Sequence, residues 1–153
     1  MVEVRFYHLE RRRIDQALPD IVEQALAQEG LRSVVQASSP EHVEALNERL
    51  WTYADESFLP HGSARDGDPH AQPVYLTDGD ENPNGATLRV LLSGVGCEPF
   101  LGEGAYQRVI LLFDGRDEEA KAEARRQWGV VKASGAAPSY WREGEDGGWE
   151  KGR

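Results

Sequence analysis

The amino-acid sequence predicts an α/β domain in which a mainly parallel sheet is flanked by helices. Segments rich in Val, Leu and Ile alternate with segments whose apolar residues recur at helical spacing, as expected of parallel strands joined by crossover helices. The segment RVILLFD at 108–114 is apolar along almost its whole length, which is typical of a central strand buried on both faces. Together these observations predict a Rossmann-like order of elements.

The individual elements follow in order along the chain. Strands are predicted at 2–9, 31–37, 73–77, 87–94, 108–114 and 139–143, and helices at 14–29, 38–51 and 117–134. Pro19 lies early in the first helix, so we expect the continuous helix to begin only there. The second helix opens at a Ser-Pro step, with Pro40 in its first turn and Ser38 three residues before Glu41.

The length of 153 residues favours a single domain, predicted over 1–143, with a frayed polar tail at 144–153. Residues 61–72 are rich in Gly, Asp and His and are predicted to form a loop. The N-terminal segment does not resemble a signal peptide, and no apolar run reaches the roughly 20 residues that span a bilayer. With Cys97 as the single cysteine, these features predict a soluble cytoplasmic protein.

The charge of the chain argues against bulk contact with nucleic acid. Its 27 acidic and 17 basic residues give a formal net charge of -10. A broad negative field repels phosphate backbones. A role on DNA would therefore act through a protein or through a small basic site.

The glycines do not form a nucleotide-binding motif. The first strand-to-helix turn, HLERRRID at 8–15, has no glycine, and GVGCEP at 94–99 and GEGAYQ at 102–107 each lack the third glycine of G-x-G-x-x-G. Without these glycines a backbone cannot approach a pyrophosphate closely. The sequence therefore predicts no nucleotide cofactor.

Two polar segments resemble metal sites without completing one. DGDENPNG at 78–85 begins like a calcium loop, but Pro83 replaces the turn glycine and Arg89 stands where a bidentate Glu is needed. The second segment has no two-histidine helical spacing and no cysteine pair; its potential ligands are His61, Asp66, Asp68 and His70. We expect a polar turn and a solvated loop, with no metal.

No catalytic constellation stands out either. Cys97 could act as a nucleophile only if a histidine approached it, and a lone cysteine beside a strand is usually a small buried hydrophobe. The carboxylates are scattered over helix faces, so no acid/base pair is predicted.

One face of the last helix carries an unusual combination of side chains. Lys121, Arg125, Trp128 and Lys132 share a stripe about 60° wide, because 3.6 residues complete one helical turn. An aromatic ring among three cations suits an acidic peptide with an apolar anchor. The alternative from spacing alone is a solvated helix with Trp128 turned into the core.

Short segments spread over nearly the whole chain carry a family resemblance. They are FYHL at 6–9, GLRSVV at 30–35, LW at 50–51, SFLPHG at 57–62, QPV at 72–74, LFD at 112–114, AR at 124–125, KASG at 132–135, YW at 140–141 and GGWE at 147–150. With these segments the chain resembles the chi subunit of bacterial DNA polymerase III. The order LW, SFLPHG, PV is fairly specific to that family.

The resemblance implies a non-catalytic accessory subunit with a Rossmann-like fold and no nucleotide. Such a subunit links the clamp-loader part of the holoenzyme to single-stranded-DNA-binding protein (SSB), whose acidic, Phe-ending tail it binds, so that its association with DNA is indirect. The implied tail-binding residues are Arg125, Trp128 and Gly135, with Lys121 and Lys132 nearby. Gly129 stands where some members carry a lysine, so one cation of the pocket is absent in this chain.

The resemblance also implies a second surface that binds the psi subunit or an equivalent partner. Its aromatic residues are Trp51 and Phe58, with Pro60 and His61 shaping the loop. Two other functions stay open: a small enzyme with a cleft at the carboxyl ends of the strands, and an adaptor between SSB and a repair helicase.

Overall fold

The computed structural model describes residues 2–52, 61–63, 72–92, 94–102, 106–145 and 148–152, with 50–52 and 61–63 described for their backbone alone. Eight strands and three α-helices are present in these ranges. The strands are β1 (Glu3–Leu9), β2 (Ser33–Gln36), β3 (His61–Ser63), β4 (Val74–Thr77), β5 (Leu88–Leu92), β6 (Arg108–Asp114), β7 (Ala137–Glu143) and β8 (Trp149–Lys151). The helices are α1 (Ile14–Glu29), α2 (Pro40–Thr52) and α3 (Glu118–Ser134).

The strands form a single sheet in the order β3-β4-β2-β5-β6-β1-β7-β8. Every pair is parallel except β7 with β8. The predicted central strand, β6, lies between β5 and β1 and is buried over six of its seven residues. The α/β, mainly parallel, helix-flanked fold predicted from the sequence is confirmed.

The two faces of the sheet are covered by different helices. Alternate residues of a strand point to opposite faces, so Tyr7 and Leu9 pack towards α1 and α2, whereas Val4 and Phe6 pack towards α3. Val131 of α3 is fully buried against this second face. The partly buried side chains Ala120, Ala124 and Trp128 complete its contact with the sheet.

Two expectations about helix starts, a delayed start at Pro19 and a cap at Ser38, are wrong. α1 begins at Ile14 and continues through Pro19, because the Arg13 backbone N–H donates to Gln16 Oε1 at the start and apolar residues on both sides of the proline are buried. This packing outweighs the one intrahelical hydrogen bond that proline cannot donate. α2 begins at Pro40 as predicted, but its capping side chain is Ser39, whose Oγ accepts from the His42 backbone N–H at 3.2 Å, and not Ser38.

Two segments predicted to be irregular contain strands. His61–Ser63, in the predicted loop, form β3 and pair in parallel with β4 at one edge of the sheet. Trp149–Lys151, in the predicted frayed tail, form β8 and pair antiparallel with β7 at the other edge. Both strands are only three residues long, too short for an alternating pattern to mark them in the sequence.

Candidate functional site: a cationic and aromatic pocket beneath α3

A pocket of about 480 Å³ opens between α3 and the sheet, and is called the α3 pocket below. It is lined by Phe6, His8, Phe113, Lys121, Ala124, Arg125, Trp128 and Tyr140. One wall comes from α3 and the floor comes from three adjacent strands, β6, β1 and β7.

The helical wall follows from the spacing and the capping of α3. Asp117 caps the helix by accepting hydrogen bonds from the backbone N–H groups of Glu119 and Ala120 at 2.9 and 3.3 Å. Beyond this cap, Lys121, Arg125 and Trp128 recur at intervals of four and three residues, which places them on one face. The predicted stripe therefore faces the pocket over its first three members.

The floor follows from the register of the strands. Phe6 is paired with Leu111 and Tyr140, and His8 is paired with Phe113 and Arg142. Because side chains alternate between faces, residues two apart in β1 both reach the α3 side. Aromatic residues at matching depth in three neighbouring strands thus form a continuous surface.

The rings of the floor contact one another and Trp128. The centroids of Phe6 and Trp128 lie 5.1 Å apart at an interplanar angle of 56°, and those of His8 and Phe113 lie 5.2 Å apart at the same angle. The Tyr140 hydroxyl forms a hydrogen bond with His8 Nδ1. Trp128 is half-buried, so one part of the ring packs on the sheet and another lines the pocket. The position of Trp128 is therefore intermediate between the two considered from the sequence, a ring on an exposed binding face and a ring turned into the core.

The charged side chains of the pocket are cationic. Lys121 Nζ lies 3.4 Å from Glu118 Oε1, a contact at the exposed surface that contributes little net attraction. Arg125 is exposed, and no described residue accepts a hydrogen bond from its guanidinium. Burial holds the pKa of His8 below its ordinary value, with Arg142 and Lys121 acting in the same direction. The pocket therefore combines an exposed guanidinium with an aromatic floor.

The other two residues of the predicted tail-binding set lie outside the α3 pocket. Lys132 is exposed on the same face of α3, but one turn beyond Trp128, about 6 Å further along the helix axis. Gly135 ends the helix with a φ of 87°, a left-handed conformation that favours glycine. Its structural role at the end of α3 is therefore clear from the backbone alone.

The second predicted surface falls largely outside the described residues. Trp51 lies in the last turn of α2, and its side chain is not described. Phe58 and Pro60 lie outside the described ranges, as do Asp66, Asp68 and His70 of the considered metal set. His61 was predicted to lie in a loop, but it is the first residue of β3. The aromatic patch and the absence of a metal in this region stay predictions.

Sequence reasoning missed the floor of the pocket. Phe6, His8, Phe113 and Tyr140 occur in three segments that are far apart in the chain, and only the order of the strands brings them together. The available signal was the recurrence of aromatic residues in FYHL, LFD and YW. That signal could have identified the floor only if β1 had been placed between β6 and β7.

The thiol of Cys97 is buried, as predicted. The residue is 1% exposed, and burial raises the pKa of its thiol to about 11. A cysteine with so high a pKa is a thiol and not a thiolate at neutral pH, so it is a poor nucleophile. Its backbone N–H donates to Gln127 Oε1 at 2.8 Å, which ties the segment before the 3-10 helix at Glu98–Phe100 to α3.

The segment at 78–85 forms the polar turn predicted from the sequence. Asn82 closes it through reciprocal hydrogen bonds with the Ala86 backbone, both 2.9 Å long. The carbonyls of Gly79 and Glu81 accept from the guanidinium of Arg89, which is fully buried on β5. These carbonyls hold a buried arginine. Within the described ranges, no three carboxylate, imidazole or thiol side chains converge as metal ligands.

The first strand-to-helix turn is occupied by a carboxylate of the chain itself. Glu143 Oε1 accepts from the backbone N–H groups of Glu10, Arg11 and Arg12 at 3.0, 2.8 and 3.2 Å. The guanidinium of Arg12 donates to its Oε2 at 2.6 Å. In dinucleotide-binding domains the N–H groups of this turn face the pyrophosphate. Here Glu143, whose side chain is 1% exposed, fills that position.

The fold and these contacts define a Rossmann-like α/β protein whose β1–α1 turn is filled by the Glu143 carboxylate and whose α3 pocket is cationic and aromatic. Among the described residues, no helix has the length and apolar character needed to cross a membrane.

Comparison with known proteins identifies the family. The family model of the DNA polymerase III chi subunit, HolC, matches residues 1–139. A probable DNA polymerase III subunit chi of Rickettsia prowazekii (strain Madrid E) is 31% identical over an alignment of 118 residues that covers 74% of this chain and 71% of that protein. The chain therefore belongs to the DNA polymerase III chi subunit family, as the sequence segments had indicated.

Proposed function

We propose that this protein is a cytoplasmic, non-catalytic accessory subunit of the DNA polymerase III holoenzyme, and that its α3 pocket binds the acidic C-terminal tail of SSB. The pocket itself carries this proposal, because it joins the guanidinium of Arg125, which has no hydrogen-bond partner among the described residues, to an aromatic floor. Family membership supports the association with the polymerase complex. By holding SSB, the subunit links it to the clamp-loader complex.

The proposed binding mechanism follows from the two parts of the pocket, a cationic opening and an aromatic floor. Carboxylates of the tail pair with Arg125 and Lys121 at the opening, where a planar guanidinium can hold a carboxylate through two hydrogen bonds. The terminal Phe ring enters the pocket beside Trp128, over the floor formed by Phe6 and Tyr140, and gains free energy by leaving water. Lys132 lies close enough to interact with acidic residues further along the tail.

The surroundings of the pocket limit the strength of a single contact. The net charge of -10 repels an acidic peptide at long range, whereas the local cations attract it within roughly 8–10 Å, the screening length at physiological salt. We therefore expect weak, salt-sensitive binding of one tail. Several tails on an oligomeric SSB raise the effective concentration and strengthen the association.

Calorimetry with a synthetic SSB tail peptide tests the proposal. Arg125→Ala is expected to weaken binding about tenfold, the effect of losing roughly 1.4 kcal/mol of charge-assisted hydrogen bonding. Arg126→Ala is the matched control, because Arg126 is also exposed on α3 but pairs with Glu123 at 2.6 Å and does not line the pocket. A peptide without its terminal Phe should bind more weakly to both variants. Equal binding by the wild type and Arg125→Ala would contradict the assignment.

We further propose that Trp51 and Phe58, with Pro60 and His61, form the surface for psi or an equivalent partner. Trp51→Ala combined with Phe58→Ala should abolish co-purification of psi while leaving the affinity for the tail peptide unchanged.

The same co-purification tests the alternative functions, because recovery of a repair helicase instead of psi would favour the adaptor function. The enzyme alternative gains no support, because Glu143 occupies the turn that would bind a nucleotide phosphate.

A further inference from the structure

His8 is the only titratable imidazole that lines the α3 pocket, among the side chains that the structure describes. Its side chain is 14% exposed. The ring lies between Phe113 and Tyr140, with the Tyr140 hydroxyl hydrogen-bonded to Nδ1. A Cβ at residue 115 would overlap the imidazole, so Gly115 leaves the space that the ring occupies. The imidazole is thus held at one place in the pocket.

Charged groups face His8 from each element around it. Glu10 Oε1 lies 3.7 Å from Nε2, and Asp114 at the end of β6 is the second acid. Lys121 of α3 and Arg142 of β7 are the cations that oppose protonation, and Arg142 is itself paired with Glu10 at 2.8 Å. Arg125 adds a further cation on the pocket wall. Burial, Arg142 and Lys121 outweigh the two acids and hold the pKa of His8 below its ordinary value, so the imidazole is neutral at neutral pH while the pocket is empty.

We propose that His8 takes up a proton from solvent when an acidic peptide binds in the α3 pocket, and so couples the affinity of the pocket to pH. This inference rests on the proposed function. Peptide carboxylates bring negative charge beside the imidazole and pair with Lys121, a cation of the pocket wall that opposes its protonation. Both effects favour the imidazolium in the complex. By linkage, a peptide that favours proton uptake is itself bound more tightly when protons are abundant.

Tyr140 connects this proton to the ligand. In the neutral ring, Glu10 favours the tautomer with hydrogen on Nε2, so Nδ1 accepts the hydrogen bond from the Tyr140 hydroxyl. In the imidazolium both nitrogens donate, and the Tyr140 oxygen becomes the acceptor. The hydroxyl hydrogen is then free to donate to a peptide carboxylate in the pocket. Proton uptake therefore adds a hydrogen-bond donor as well as a charge.

Calorimetry in buffers of different ionisation enthalpy measures the protons taken up on binding. For the wild type and the SSB tail peptide at about pH 6.5, we expect uptake of a substantial fraction of one proton, and an affinity several-fold higher than at about pH 8. His8→Gln should bind the peptide with no uptake and with little change in affinity over this range. His42→Gln is the matched control and should behave as the wild type, since His42 lies on α2 at the opposite face of the sheet.

An NMR titration of the wild-type protein gives a measurement that needs no variant. The pKa of His8 should rise when the peptide is added, and the pKa of His42 should not. A peptide that binds without proton uptake, or uptake that persists in His8→Gln, would overturn the role of His8 and leave the proposed function intact. Absence of peptide binding by the wild type at every pH would contradict both.

Discussion

At the scale of single residues, Glu143 shows how one side chain can close a site that its fold usually leaves open. Its carboxylate binds three successive backbone N–H groups of the β1–α1 turn and the guanidinium of Arg12. Burial alone would raise its pKa, but these hydrogen bonds outweigh burial and hold the pKa at about 2. The carboxylate is therefore charged throughout the physiological range.

Replacement of Glu143 by Gln should destabilise the fold in a pH-dependent manner. Because the pKa of Glu143 is lower in the folded than in the unfolded chain, its stabilisation is fully present above about pH 4.5 and is lost as the pH falls towards 2. At pH 7 the free energy of unfolding should drop by about 2–3 kcal/mol. Denaturant unfolding at several pH values measures the difference between wild type and variant. A difference that stays constant down to about pH 2 would contradict this role.

Some residues of the α3 pocket could be predicted from the sequence and others could not. Lys121, Arg125 and Trp128 were predicted because a helix converts their spacing into proximity. Phe6 and Tyr140 were not predicted, because the pairing of β1 with β7 depends on the order of the strands. Glu143 was missed for the same reason: its contacts with residues 10–12 join segments more than 130 positions apart.

At the scale of elements, α3 contains a glycine, Gly129, at an exposed position in its interior. Gly129 lies in its interior with no atom near enough to contact an added Cβ, so no packing requirement explains the glycine. Glycine in the interior of a helix costs about 0.8–1.0 kcal/mol relative to alanine. It also follows Arg125 by four residues and therefore lies on the same side of the helix.

Two substitutions of Gly129 distinguish the effect of helix propensity on stability from the effect of an added charge on peptide affinity. Gly129→Ala should raise the free energy of unfolding by up to about 1 kcal/mol and leave peptide affinity unchanged. Gly129→Lys should give a similar gain in stability and also tighten binding of the SSB tail several-fold, by adding a cation beside Arg125. Thermal unfolding and peptide calorimetry measure the two effects. If Lys and Ala give the same affinity, position 129 is too far from the bound peptide to matter.

Long elements were predicted better than their ends. The spans of β6 and α3 match the predictions closely, because each has a strong pattern over its full length. The expectation that α1 would begin only at Pro19 was wrong, because the burial of Leu18 and Ile21 on either side outweighs the local effect of the proline. Local propensity is overridden when tertiary packing places the residue in a core.

At the scale of the whole molecule, β8 extends the sheet beyond the boundary predicted at residue 143. Trp149 stacks on Tyr7 at a centroid distance of 4.4 Å and packs against the core on the α1 side of the sheet. The segment that was expected to be frayed thus contributes an aromatic side chain to the hydrophobic cluster.

Trp149→Ala measures how much this final strand stabilises the fold. Loss of a half-buried Trp should lower the free energy of unfolding by about 2 kcal/mol and the Tm by roughly 4–8 °C. Glu150→Ala, in the same strand but exposed, is expected to stay within about 0.5 kcal/mol of the wild type. Equal stability of both variants would restore the interpretation of residues 144–153 as a tail.

The position of β1 also has a consequence for synthesis. Its two neighbours in the sheet, β6 and β7, lie more than 100 residues further along the chain. When β1 leaves the ribosome it has no strand to pair with, and Phe6 and His8 have no helix above them. The α3 pocket can therefore assemble only after residue 140 has been made. Under the proposed function, a nascent or prematurely ended chain would lack the site for the SSB tail, and only a nearly complete subunit would join a replication complex through it.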